Sequence, residues 1–301
     1  MRIARIAVSL TIPALLVGSL AACSSSSKSG NGATGGAAGV PAAAPNLDPK
    51  GEMLAAAAVM QKAGSANVTM STPGDTSGDG TGVYQWAGQG ALDLQGKDKG
   101  KPVKMRVVNG SAYMGADDTG AAAMGGKHWI DMSSMTAAMG GAGADPFTGL
   151  FVLLNPANEL TVASQSSTLT KVGTEQVGGG STTHYRSSTP AADLVAKLPN
   201  LTDAQRKAAQ SMASEGGANL IFDFWLNGKH ELVQMEQQNS DSSSPAPAAS
   251  PSDSSDSSAT MIQFTNLGVK VNVSAPAASD VASPADAAKW FAAQGSDNSN
   301  N

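Results

Sequence analysis

Reactive side chains are scarce in this sequence: one cysteine and three histidines stand in 301 residues. A single cysteine excludes an internal disulfide, so the fold must hold by burial alone. No G-x-S-x-G, HExxH or CxxC pattern occurs, and His128, His184 and His230 lie far apart in sequence beside Trp129, Tyr185 and Glu231. A nucleophile needs an oriented base, and neither is signalled, so no catalytic residue, metal ligand or cofactor is expected. Lysine and arginine are outnumbered by acidic residues, 19 to 24, and form no cluster, which argues against nucleic acid as a partner. Aromatic residues make up only 4%, yet apolar residues reach 41%, enough for one core once the low-complexity stretches are set aside.

What is present begins with a targeting signal. Arg2 and Arg5 precede an apolar run from Ile6 to Leu20, interrupted by Pro13 and Gly18, and small residues follow. This is the layout of a secretory signal peptide over residues 1–22. The run is shorter than the roughly 20 residues that cross a bilayer. Leu20, Ala21 and Ala22 lead directly into Cys23, a stretch that resembles the lipobox of bacterial lipoproteins. The resemblance implies diacylglyceryl on the Cys23 sulfur and cleavage just before it. The lone thiol is then an attachment point, and the membrane is a partner through the lipid anchor.

Residues 23–47 read as the lipidated cysteine and a tether of small residues that cannot offset their ordering entropy by burial. Order begins at Asp48-Pro49, an N-cap with proline at the first helical position, and the helix stops at Gly64. The period then changes to two. Ala66, Val68 and Met70 alternate with polar residues; Tyr84, Trp86, Leu92 and Leu94 share parity, as do Val103, Met105 and Val107. These patterns predict half-buried antiparallel strands. The stretches 74–82 (GDTSGDGTG) and 96–101 (GKDKGK), with Asn109-Gly110, predict the hairpin connections between them. Strand patterns continue at 111–115 and 128–132, return at 169–177 and 182–188, and recur at 220–226, 231–238, 261–266 and 269–273. Helical patterns fall at 158–165, 190–198, 202–215 and 284–294. Residues 240–259, rich in Ser, Asp, Pro and Ala, read as an insertion at a hairpin tip, which loop-closure entropy tolerates.

Several stretches together resemble the LppX/LprAFG family of actinobacterial lipoproteins, related in fold to the LolA/LolB carriers. They are KHWIDM at 127–132, LLNP at 153–156, VGTEQVGGGSTTHYR at 172–186, FDFWLNGKHELVQ at 222–234 and FTNLGVKVNVSAP at 264–276. The resemblance covers residues 48–276, with 277–301 left as a tail. It implies an α+β fold, a strongly curved antiparallel β half-barrel with helices packed on the concave face. It also implies a monomeric, non-catalytic protein on the extracytoplasmic face of the cell membrane, holding an acylated lipid or lipoconjugate in a hydrophobic cavity. The positions expected to line that cavity are Trp86, Met105, Val107, Met114, Phe147, Phe151, Leu154, Phe222, Phe224 and Met235. The alternative is an envelope interaction module of the same fold without a cavity, whose partner is another envelope protein.

Two weaker signals have ordinary explanations. Thirteen methionines fall largely on inward parity, where flexible thioethers adapt to an irregular ligand and equally fill gaps in any core. Asp75-x-Ser77-x-Asp79-Gly80 echoes the start of a calcium loop, but Trp86 stands where the bidentate glutamate belongs, so a surface turn is expected.

Overall fold

The computed structural model describes residues 47–72, 75–98, 101–138, 152–198, 201–215, 219–240 and 259–297. The signal peptide, Cys23, the tether to residue 46, Phe147, Phe151 and residues 241–258 of the insertion lie outside the described residues.

The chain opens with helix α1 (Pro49–Ala63), and its ends are those the sequence predicts. Asp48 accepts a hydrogen bond from the Gly51 amide, Pro49 takes the first position, and Gly64 closes the helix in the left-handed region at φ 69°. Two meanders follow. The first comprises β1 (Ser65–Thr72), β2 (Asp75–Gln85), β3 (Ala91–Asp98), β4 (Lys101–Val108), β5 (Ser111–Gly115) and β6 (Trp129–Asp131). The second comprises β7 (Thr170–Val177), β8 (Gly180–Pro190), β9 (Asn219–Asn227), β10 (Leu232–Ser240) and β11 (Thr260–Thr265). They join where β1 pairs with β11, giving one 11-stranded sheet in the order β6-β5-β4-β3-β2-β1-β11-β10-β9-β8-β7. Every pairing between strands is antiparallel, and β6 and β7 do not meet, so the half-barrel stays open.

Six further helices are described: α2 (Asp118–Ala123), α3 (Met132–Ala138), α4 (Pro156–Ser164), α5 (Ala191–Lys197), α6 (Asp203–Glu215) and α7 (Pro284–Asp297). Helix α1 lies along α4. Met53, Ala56 and Met60 of α1, Leu160 and Val162 of α4, Leu194 of α5 and Ala209 of α6 share one core with the inner faces of both meanders. The sheet therefore curves around these helices. A smaller core at the β6 end gathers Ala116, Met124, Ile130, Ala282 and Ala287, flanked by Trp290 and Phe291.

Expectations for three stretches are corrected, the first being 96–101, where Gly96, Lys97, Asp98 and Lys101 pair within β3 and β4. The stretch 74–82 is not a connection, because β2 begins at Asp75 and pairs through Gly80 and Gly82 with both neighbours. Glycines on both strands serve close approach: a Cβ on Gly82 of β2 would run into the Asp93 carbonyl, and one on Gly96 of β3 into that of Asp79. The stretch 269–273 forms no strand either. Both edges of β11 are already occupied, by β10 and β1, so the stretch that follows cannot pair back on it as a hairpin.

Residues 266–282 instead run as a strap. The Ser65 hydroxyl donates to the Val269 carbonyl, Arg106 on the outer face of β4 donates to the Ser274 carbonyl, and Lys127 donates to that of Ser279. Asp280 accepts from the His128 backbone, and Val281 bridges Trp129. Ordered packing thus continues past residue 276.

Candidate functional site

On the first meander the inner face is a set of cross-strand rows. In one row Ala66, Tyr84, Leu92, Val107 and Ala112 stand opposite one another, and all are buried. The next row runs Val68, Gly82, Leu94, Met105, Met114 and Ile130. Its ends are buried, but Leu94, Met105 and Met114 are only half-buried. On the second meander Tyr185, Phe224, Met235 and Ile262 form a buried row that reaches half-buried Met70 in β1. That row is therefore covered from β8 to β11, whereas cover is incomplete over β3–β5 of the first meander.

The predicted lining residues fall into this frame. Trp86, Val107, Phe222, Phe224 and Met235 belong to the main core, and Met105 and Leu154 are partly buried against it. Met114 faces the same side as Met105, its partner in register. Trp86 is fixed by three contacts: its indole N–H donates to the Met60 carbonyl at 2.8 Å, and its ring meets Tyr84 at 5.5 Å and Phe264 at 6.1 Å between centroids. Phe222 and Phe224 stack with centroids 5.9 Å apart. Phe147 and Phe151 lie outside the described residues.

Helix α4 brings a carboxyl into this apolar interior that the sequence reading passed over. Glu159 is 1% exposed, and both its carboxyl oxygens lack a hydrogen-bond partner among the described residues. Burial raises its pKa well above the ordinary carboxyl range, and burial likewise raises that of the Tyr84 hydroxyl. Leaving a buried polar group unpaired costs about 2–7 kcal/mol, so the neutral acid is the form this site holds. The hydroxyls of Ser187 and Thr189, opposite Phe222 and Leu220 on the inner face, are likewise buried without a partner among the described residues.

The outer face of the second meander carries charge. His184 Nδ1 meets Glu175 at 2.8 Å and its Nε2 meets Asp223, while Arg186 grips the two Asp223 oxygens at 2.8 and 3.0 Å. Burial lowers the His184 pKa, but the bonds and charges of Asp223 and Glu175 outweigh it and raise the value overall. Both ring nitrogens face carboxylate oxygens, an arrangement that favours the protonated imidazole. His230 is in the turn after β9, at φ 60°, not in a strand, and binds Glu52 at 2.7 Å; His128 binds Asp280 at 2.9 Å. Each histidine is committed to a carboxylate, an arrangement for holding elements together.

The calcium-like stretch behaves as local structure, with Asp79 accepting from the Thr72 amide at 3.1 Å. Among the described residues no group of histidine, cysteine, aspartate or glutamate side chains is arranged to hold a metal ion. A pocket of about 210 Å³ is lined by Pro102, Lys104, Ala116, Asp117, Asp118 and His128, none of them a predicted lining residue. No described helix is long and apolar enough to cross a membrane.

No family profile matches the chain. Over 219 residues it is 30% identical to an uncharacterised 31.2 kDa protein of Streptomyces griseus encoded in the rplA-rplJ intergenic region. That match takes in 72% of this chain and 63% of the relative, so the chain spans less than two thirds of the relative's length. Among solved structures are LprF from Mycobacterium bovis and the lipoprotein LppX from Mycobacterium tuberculosis. The chain is similar to LprF and LppX. LprF is 14% identical with a TM-score of 0.46, covering 76% of this chain and 97% of its own; LppX is 16% identical with a TM-score of 0.42, covering 74% and 98%. Both carry names of the group whose sequence stretches this chain resembles.

Proposed function

We propose that the protein is a lipoprotein anchored through Cys23 to the extracytoplasmic face of the cell membrane, where it binds the acyl chains of a lipid without chemistry. The observation that carries this reading is the half-buried row Leu94, Met105 and Met114, continuous with a fully buried apolar floor inside an open, helix-lined sheet. Flexible thioethers adapt to hydrocarbon of irregular shape. Each ~100 Å² of apolar surface removed from water contributes about 2.5 kcal/mol, so two acyl chains are held without a reactive group. An anchor with two or more chains at Cys23 keeps the protein stably on the membrane, whereas one chain holds it only marginally.

The test is native mass spectrometry of the full-length chain extracted in detergent from bacterial membranes. Lipid mass should accompany the wild type and fall in a Met105→Asp, Met114→Asp variant that keeps its circular dichroism spectrum. A wild-type chain that carries no lipid and takes up no fluorescent acyl probe overturns the reading and leaves an envelope interaction module. Cys23→Ser should move the chain from the membrane to the soluble fraction.

A further inference from the structure

The most unusual group in the interior is Glu159, an acidic side chain almost wholly removed from water with no described donor to satisfy either oxygen. Natural interiors rarely keep such a group without a reason, since an unpartnered buried polar atom is costly and a leucine there would pack without that cost. Helix α4 does not need a glutamate for its own geometry, because its N-terminus is already capped by Asn155, which accepts from the Ala157 and Asn158 amides. Tyr84, buried like Glu159, lies one row from Leu94 and Met105 on the same inner face. Ser187 and Thr189 place two more buried hydroxyls without described partners on the inner face.

We infer that Glu159 is the interior's polar contact for bound lipid, bonding to an uncharged hydroxyl or ester carbonyl where the acyl chains join their head. This rests on the lipid-binding reading above. A neutral carboxyl offers one donor and one acceptor, the complement of a glycerol ester or free hydroxyl. No lysine or arginine is buried among the described residues, so an anionic head has no described counter-charge in this interior. A site built to hydrogen-bond a ligand group rejects the analogue lacking it, since its own buried groups are then left unpaired.

The experiment compares three pyrene-labelled probes of equal chain length on the full-length, detergent-extracted protein: a diacylglycerol, a plain alkane and an alkylammonium. Wild type should bind the diacylglycerol at least tenfold tighter than the alkane. Glu159→Leu should erase that preference while keeping alkane binding, and Glu159→Gln should retain most of it. Infrared difference spectra should show a protonated-carboxyl band, absent in Glu159→Gln, that shifts to lower wavenumber when the diacylglycerol binds. A wild type that binds no probe sinks the lipid-binding reading and this inference with it. Unchanged discrimination in a folded Glu159→Leu chain sinks only the assignment to Glu159. Tightest binding of the alkylammonium, abolished in Glu159→Gln, overturns the uncharged-group assignment and makes the residue a counter-ion.

Discussion

Trp225 stacks on the ring of His184, centroids 4.4 Å apart, and its indole N–H donates at 2.8 Å to Glu175, the carboxylate that also holds that imidazole. The pair caps the charged group on the outer face of β7, β8 and β9, covering a cation with an aromatic face and leaving it 5% exposed.

A pH dependence follows, with a definite sign. The folded His184 pKa is raised above its ordinary value, so its contribution to stability is complete below about pH 6.5 and is lost as pH rises through the folded pKa. Burial works to raise Glu175, but bonds from Trp225 and His184 dominate and lower it, so its contribution is present above the ordinary carboxyl pKa and fades as pH falls through the lowered one. Urea midpoints should therefore decline as pH rises above about 6.5, and His184→Gln should flatten that decline. An unchanged slope in the variant would show that His184 is not held as a cation.

Asp223 is the anion on which this group depends, 1% exposed and shared by His184 and Arg186. Asp223→Ala takes the ion-pair partner from Arg186 and leaves His184 with Glu175 alone, and removing one partner from a buried pair costs about 3–5 kcal/mol. Chemical denaturation should show that loss, whereas Glu236→Ala on neighbouring β10 should change stability little.

Gly82 tests the close crossing of β2 and β3. Gly82→Val puts a side chain against the Asp93 carbonyl and requires the two strands to part or slip. The expected result is a melting temperature several degrees lower, for overpacking of about 1–3 kcal/mol. An unchanged melting temperature would mean that the strands part without cost.

The strap can be tested by shortening the chain after Pro276. The cut removes Asp280 from His128, Val281 from Trp129, and Ala282 and Ala287 from the small core, uncovering Met124 and Ile130. Each of those side chains contributes about 1.5–3 kcal/mol when buried. The shortened chain should bind a dye specific for exposed apolar surface and unfold at lower urea; retention of wild-type stability would mean that residues 48–276 suffice.

Much of the frame was legible in the sequence because local chemistry and final structure agree there. Asp48, Pro49 and Gly64 mark both ends of α1, and Asn109-Gly110 supplies the two positive φ angles, 54° and 77°, that the β4–β5 hairpin needs. The failures occur where one residue type serves two ends. Glycine, serine and aspartate at 74–82 have turn chemistry, yet the glycines there permit a tight strand crossing. Val269, Val271 and Val273 alternate like a strand, but availability of an edge depends on residues some 200 positions away. Glu159 looks like the solvated side of a short helix, and only the burial of α4 on nearly every side, against α1 and the core, makes it an interior group. Helix α2 had a readable start in Asp117, which accepts from the Gly120 amide.

The seam between β1 and β11 has a consequence for how the chain matures. Asn67 stands beside Thr265 and Met70 beside Ile262, so the centre of the sheet joins its earliest strand to its last. Each meander can zip up from neighbouring hairpins, but the halves cannot be stitched until synthesis has passed Thr265. Such distant pairing carries a large loop-closure cost and folds slowly. A chain that emerges N-terminus first thereby keeps its two halves apart until its last strand is free to close the seam.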